Sequence, residues 1–181
     1  MKIILGIIAC LFFSGCATYK YNFDLITPKP TGQMQYSDDK IQIKFEIEPH
    51  PESNHPYVIF YNNIGFKLIN KTDQLILVDW NKVSFRDYKG ISGNPVMHGN
   101  MKFSRCTLSK LPSVVPSHGT IEDVVVPCYA ADGMLPGPQV MPDVDFGFFM
   151  PLTIGNETVN YNFEFHGRIC QELKGSCQSV D

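Results

Sequence analysis

Alternation of apolar and polar residues constrains the fold of this chain more than any other feature of its sequence. In residues 41–48, IQIKFEIE, apolar and polar side chains strictly alternate, and residues 158–166, TVNYNFEFH, show the same pattern. Successive side chains of a β-strand point to opposite faces, so a period of two gathers the apolar side chains on one face. Both segments are therefore predicted strands with one buried and one solvated face.

Further short strands are predicted between turn signals. They are residues 57–61, 64–69, 75–80, 83–85, 96–103, 120–128 and 145–154. Residues 131–143 hold three prolines and two glycines, which excludes a central strand. About eight short strands with regularly spaced turns predict an all-β fold. The leading architecture is an antiparallel β-sandwich, immunoglobulin-like in the broad sense, and a small β-barrel is the alternative.

Residues 64–87 carry the clearest local prediction. Two apolar runs flank the polar turn Asn70-Lys71-Thr72-Asp73, which predicts a β-hairpin, and Trp80, the only tryptophan, is expected in the core. An N-K-T turn after one apolar strand and a D-W pair at the end of the next resemble the β-sandwiches of bacterial surface and envelope proteins. The resemblance is confined to this stretch and implies no characterised family.

The first sixteen residues, MKIILGIIACLFFSGC, have the layout of a secretory signal: Lys2, an apolar run, then small residues before Cys16. Phe13-Ser14-Gly15-Cys16 resembles the bacterial lipobox, with Phe13 where the family usually has an aliphatic residue. The resemblance implies cleavage before Cys16, which then carries diacylglycerol and an N-acyl chain such as palmitate. Two alternatives remain: a second box ending at Cys10, and an ordinary cleaved signal. Ala17, rather than Asp, implies delivery to the outer membrane, with either its periplasmic or its surface face as the location.

Cleavage at Cys16 divides the chain into three parts. Residues 1–15 are the expected signal peptide, residues 16–39 the lipid anchor and tether, and residues 40–181 the β-sandwich domain. Within residues 17–39, the period-two spacing of Tyr19, Tyr21 and Phe23 leaves a strand as an alternative to a flexible tether. Removal of residues 1–15 from the 181-residue chain leaves 166 residues, which suits a single domain.

Four cysteines remain after the leader and the anchor: Cys106, Cys128, Cys170 and Cys177. An even number in an exported chain predicts two disulfides. Of the three connectivities, the local one joins Cys106 to Cys128 and Cys170 to Cys177. Free thiols are an alternative, and a zinc site is disfavoured because the chain has no C-x-x-C pair.

Few residues indicate chemistry. His50, His55, His98, His118 and His166 are scattered, and no G-x-S-x-G, H-E-x-x-H or phosphate-binding glycine loop occurs. Met97-His98-x-x-Met101 could offer soft ligands to cuprous copper, although Met97 and His98 would point to opposite faces of a strand. Asp143 and Asp145 share a strand face that calcium could use. Core methionines and a solvated acidic pair are the simpler interpretations, so neither a metal nor another cofactor is expected.

The sequence thus predicts a lipid-anchored cell-envelope protein with a non-enzymatic binding or accessory module. Its expected partners are membrane lipid, through the anchor, and an envelope protein that contacts residues 88–101 and 131–143. Nucleic acid is excluded as a partner because the net charge is −3 and no basic stripe occurs. The alternatives are a small envelope hydrolase and a copper- or calcium-binding periplasmic protein.

Overall fold

The chain folds into antiparallel β-structure. A computed structural model describes residues 19–29, 34–48, 63–87, 89–99, 106, 108–128, 143–173 and 176–179. Twelve strands lie in these ranges: β1 (Tyr19–Thr27), β2 (Gln35–Ser37), β3 (Ile41–Glu48), β4 (Asn63–Asn70), β5 (Ile76–Val78), β6 (Ser84–Arg86), β7 (Asn94–His98), β8 (Ser113–Val115), β9 (Thr120–Pro127), β10 (Asp143–Ile154), β11 (Glu157–Leu173) and β12 (Ser176–Ser179). Within the same ranges, no helix has the length and apolarity needed to span a membrane.

The strands form two sheets that are joined along one side. In the first sheet, β11 lies between β1 and β10 and also pairs with β12. On its other side, β10 pairs with β5 and β6, and β5 pairs in turn with β8. The second sheet has the order β2-β3-β4-β9-β7. The sheets meet where β6 pairs with β7. Since β1 and β2 do not pair with each other in the described part of the chain, the opposite side is open.

Aromatic side chains from the inner faces of both sheets form the core. The ring of Phe45 in β3 lies 4.8 Å from that of Phe163 and 5.0 Å from that of Phe165, both in β11. The rings of Phe66 in β4 and Phe148 in β10 also meet across the core, with centroids 6.4 Å apart. Each fully buried side chain of this size contributes roughly 1.5–3 kcal/mol to folding. The predicted all-β sandwich is confirmed. Because β6 pairs with β7, the two sheets are joined along one side, as they would be in a barrel.

The alternating segments adopt the predicted orientation. Ile41, Ile43 and Phe45 of β3 are buried, whereas Lys44 and Glu46 are exposed. Predicted strands 64–69, 83–85, 120–128, 145–154 and 158–169 correspond to β4, β6, β9, β10 and β11. The predicted strand 57–61 lies outside the described residues.

Part of the segment expected to be a tether belongs to the first sheet. β1 pairs with β11 from Tyr19 opposite Gln171 to Thr27 opposite Glu164. Its Leu25 is only 1% exposed, so β1 contributes to the core. The strand that the sequence left open as an alternative for this segment is therefore present.

The predicted hairpin of residues 64–80 is wrong. β4 pairs with β3 and β9 in the second sheet, whereas β5 pairs with β10 and β8 in the first sheet. The chain crosses between sheets at the polar turn, and the buried Asn70 holds this crossing. Its Nδ2 donates to the carbonyl oxygens of Gln74 at 2.6 Å and Pro116 at 2.8 Å, and its Oδ1 accepts from the amide of Thr72 at 2.9 Å. These contacts satisfy backbone groups of the crossing itself and of the residue that follows β8.

One predicted disulfide is present. Cys106 and Cys128 are joined, with Cα atoms 5.7 Å apart, and both are buried beside Val126. Cys170 and Cys177 lie on the paired strands β11 and β12, where Cys170 faces Ser179 and Cys177 faces Glu172. They are therefore diagonal neighbours in this ladder, and the bond between them stays a prediction.

Candidate functional site

Trp80 is the centre of the most chemically capable cluster among the described residues. It follows β5 at a turn, is completely buried, and donates its Nε1 hydrogen to Oγ of Ser113 in β8 at 2.8 Å. The polar edge of a buried indole usually needs such a partner. The prediction that Trp80 belongs to the core is confirmed.

His98 connects this indole to a carboxylate. The imidazole lies flat on the indole, with ring centroids 4.1 Å apart and planes at 7°. Its Nδ1 is 3.1 Å from Oδ2 of Asp123 in β9, and the two side chains are only 18% and 12% exposed. Asp123 is held in turn, because its Oδ1 accepts from the amide of Val124 at 2.8 Å. We call Trp80, His98, Ser113 and Asp123 the Trp80 cluster.

The geometry of this pair determines which nitrogen of His98 is left for a ligand. A carboxylate at Nδ1 favours a proton on that nitrogen and leaves Nε2 as an acceptor or a metal ligand. Hydrolases and metal sites both use an imidazole oriented in this way, but each needs a further group. In the described parts of the chain, His98 makes no hydrogen bond to a hydroxyl, and no three His, Cys, Asp or Glu side chains group around a metal position.

The structure tests only part of the predicted Met97, His98 and Met101 constellation. His98 lies in the Trp80 cluster, while Met101 and the side chain of Met97 are outside the described residues. The copper alternative is therefore not tested by the described residues.

Two other histidines pair with aspartates at the surface. His166 of β11 and Asp145 of β10 face each other in the ladder, with Nδ1 and Oδ1 2.7 Å apart. His118 Nε2 lies 2.9 Å from Oδ1 of Asp73, and both side chains are largely exposed. Asp145, one of the two predicted calcium ligands, is thus engaged by an imidazole, and the side chain of Asp143 is not described.

Lys110 is a buried cation that sequence reasoning missed. The residue is only 6% exposed, and its backbone is clamped by Asn81, which accepts from the Lys110 amide at 2.8 Å and donates to the Lys110 carbonyl at 2.9 Å. Burial lowers the pKa of the Lys110 ammonium, and no described side chain bonds to it. The surrounding sequence, SKLP, has no alternating pattern and gave no signal of burial.

Asp38 is a second missed residue and links the two sheets. Its Oδ1 accepts from the backbone amides of Lys40 at 2.8 Å and Ile41 at 2.7 Å. Its Oδ2 accepts from the hydroxyls of Tyr36 at 3.1 Å and Tyr161 at 2.9 Å. Burial alone would raise the pKa of the Asp38 carboxyl, but these four hydrogen bonds outweigh it and hold the pKa below its usual range. Burial, together with the carboxylate, raises the pKa of Tyr161.

The remaining predicted site residues lie outside the described ranges. They are Cys16, residues 131–142 of the contact segment 131–143, and residues 88, 100 and 101 of the contact segment 88–101. Comparison with known proteins adds no relative: the sequence matches no protein-family model, and a search of curated proteins found no significant similarity.

Proposed function

We propose that this chain is a cell-envelope protein anchored by lipid at Cys16, and that its β-sandwich is a non-enzymatic binding or accessory module. The proposal depends on one observation. The lipobox-like sequence Phe13-Ser14-Gly15-Cys16 ends three residues before Tyr19, where the first strand of the fold begins. The leader can be removed without loss of any described strand. Each acyl chain adds about 0.8 kcal/mol per buried methylene, so three chains would hold the domain on a membrane.

The packing of the sandwich supports a binding module over a hydrolase. The inner faces are filled by aromatic and aliphatic side chains, and in each described His–Asp pair the imidazole contacts a carboxylate of a neighbouring strand or turn. A disulfide between Cys106 and Cys128 is also consistent with an oxidising compartment outside the cytoplasm.

Metabolic labelling with radioactive palmitate tests the anchor. The wild-type protein is expected to take up label and to sediment with membranes, and Cys16→Ala is expected to abolish the label. Cys10→Ala is the matched control, because it changes a cysteine of the same leader and should leave labelling intact. Label that persists in Cys16→Ala and disappears in Cys10→Ala would move the anchor to Cys10. Absence of label in the wild-type protein would refute the proposal.

The destination has its own test. By the lipobox resemblance, Ala17 directs the protein to the outer membrane, and an aspartate at this position would retain it in the inner membrane of an enteric host. Ala17→Asp should therefore shift the labelled protein to the inner-membrane fraction of a density gradient, whereas Ala17→Ser should not. Wild-type protein in the inner-membrane fraction would contradict the assignment.

A further inference from the structure

The strand registers define two ends of the sandwich. At one end, Tyr19 at the start of β1 lies opposite Gln171, and Asp143 at the start of β10 lies opposite Arg168. β3 also ends here and β4 begins here, and β9 ends beside the start of β7. We call this the Tyr19 end.

The opposite end holds the turns that join the sheets. It includes the β10–β11 turn at Gly155, whose amide donates to the carbonyl of Leu75, and the crossing at Asn70, whose amide donates to the carbonyl of Gly119. The Asp38 turn also lies here, bonded to Tyr161. We call this the Gly155 end.

The distance from the proposed anchor to the Tyr19 end is limited by chain length alone. Tyr19 is the third residue after Cys16. A fully extended chain spans at most about 3.6 Å per residue, so Cys16 lies within about 11 Å of the first residue of β1 whatever path the chain takes. A lipidated Cys16 thus keeps the start of β1 close to the membrane surface.

We propose that the Tyr19 end of the sandwich faces the lipid surface and that the strands stand away from it, so that the Gly155 end is displayed. This inference rests on the lipid anchor proposed above. The lipid surface is the partner of this end, and the short link between Cys16 and β1 is what places it there.

The outer faces of both sheets oppose a sideways arrangement. On the first sheet, the Arg86 guanidinium lies 3.4 Å from the Glu164 carboxylate. On the second sheet, the Lys67 ammonium lies 2.6 Å from the Glu122 carboxylate. Contact of either face with acyl chains would remove water from these ionic groups, which is strongly unfavourable. An end-on arrangement leaves them hydrated.

The length of β11 gives the distance between the Tyr19 end and the Gly155 end. Fourteen residues separate Gln171 from Glu157 along this strand, and a strand rises about 3.3 Å per residue, so the Gly155 end stands roughly 45 Å from the Tyr19 end. This end presents Asp73, His118 and Glu157, whose side chains are 97%, 64% and 67% exposed. In contrast, β6 and β9 end, and β7 and β10 begin, toward the Tyr19 end. The strand ends that flank the contact segments predicted from sequence therefore lie on the membrane side.

Paramagnetic relaxation tests the orientation. The full lipidated protein is placed on nanodiscs that contain a gadolinium-chelate lipid, and amide relaxation is measured by NMR. The proposal predicts several-fold larger enhancement at Tyr21 and Gln171 than at Asp73 and Gly155. Equal enhancement at both ends, or larger enhancement at Asp73, would overturn it.

Two variants test whether the short link and the lipid are the causes of the difference in relaxation between the two ends. Insertion of twenty Gly and Ser residues between Ala17 and Thr18 gives a flexible link of about 25 Å and should flatten the gradient. A gradient unchanged by this insertion would overturn the short link as its cause. Cys16→Ser should show no enhancement at either end. If the wild-type protein carries no lipid, both proposals fail, whereas lipidated protein with uniform enhancement refutes only the orientation.

Discussion

Asp38 is the side chain on which the contact between the β2–β3 turn and β11 depends. Asp38→Ala removes the acceptor of two amide and two hydroxyl hydrogen bonds and is predicted to lower the free energy of unfolding by about 2 kcal/mol. Asp38→Asn is the matched control and should cost about half as much, because its side-chain oxygen still accepts from the amides of Lys40 and Ile41. Urea unfolding at pH 7 measures both values, and equal losses would contradict the role of the hydroxyl bonds.

The same carboxylate predicts a pH dependence. Its pKa is lower in the folded protein than in the unfolded chain, where aspartate titrates near ~3.9. The stabilisation is therefore complete above that value and is lost as the pH falls through the folded-state pKa. Asp38→Asn should show a shallower loss of stability than wild type below about pH 4. An identical acid limb would show that Asp38 is not responsible.

Replacement of Lys110 is predicted to raise the free energy of unfolding, whereas replacement of Asp38 is predicted to lower it. Burial lowers the pKa of its ammonium, so the folded protein holds this proton less tightly than the unfolded chain, whose lysines titrate near ~10.4. Lys110→Met should raise the free energy of unfolding at pH 7, by on the order of 1 kcal/mol, because it removes a buried charge to which no described side chain bonds. The gain should shrink as the pH rises toward 10. Lys44→Met, at an exposed lysine, is the control, and a loss of stability in Lys110→Met alone would contradict the inference.

At the scale of elements, the crossing between β4 and β5 depends on Asn70. Asn70→Ala leaves the carbonyls of Val115 and Pro116 without this donor in a buried site and is predicted to cost about 2–3 kcal/mol. Asn70→Asp should cost at least as much at pH 7, because a carboxylate would face carbonyl oxygens. Asn156→Ala, at an exposed turn, serves as the control. Thermal unfolding of the three variants tests the order.

Strands proved predictable from sequence where a local pattern determines them. The period-two alternation of residues 41–48 and 158–166 specifies a strand and its buried face without reference to any partner. Pairing is different: the turn at residues 70–73 is compatible with a hairpin, but β5 finds its partners in β8 and β10, far along the chain. The link from Asp38 to Tyr161 spans 123 residues, and no local signal indicates that these two residues meet. The burial of Lys110 likewise depends on tertiary neighbours.

At the scale of the whole molecule, the proposed anchor makes the two ends of the sandwich different. The Tyr19 end lies within about 11 Å of the proposed anchor, and the Gly155 end lies roughly 45 Å from the Tyr19 end. We propose that an accessory module held in this way meets its protein partner at the Gly155 end, in place of the segments 88–101 and 131–143 that the sequence indicated. Crosslinking in intact cells, with a photoreactive residue at Asp73, should capture that partner more efficiently than the same residue at Tyr21. The reverse order would place the contact near the membrane.

Intact mass measurement of the mature protein, purified from membranes without reductant, tests lipid anchoring most directly. The predicted result is a chain of residues 16–181 that carries diacylglycerol and an N-acyl chain on Cys16. Two disulfides would lower its mass by two hydrogens each. A chain that starts at another residue, or one that starts at Cys16 with no added lipid, would contradict the anchor on which the proposed function depends.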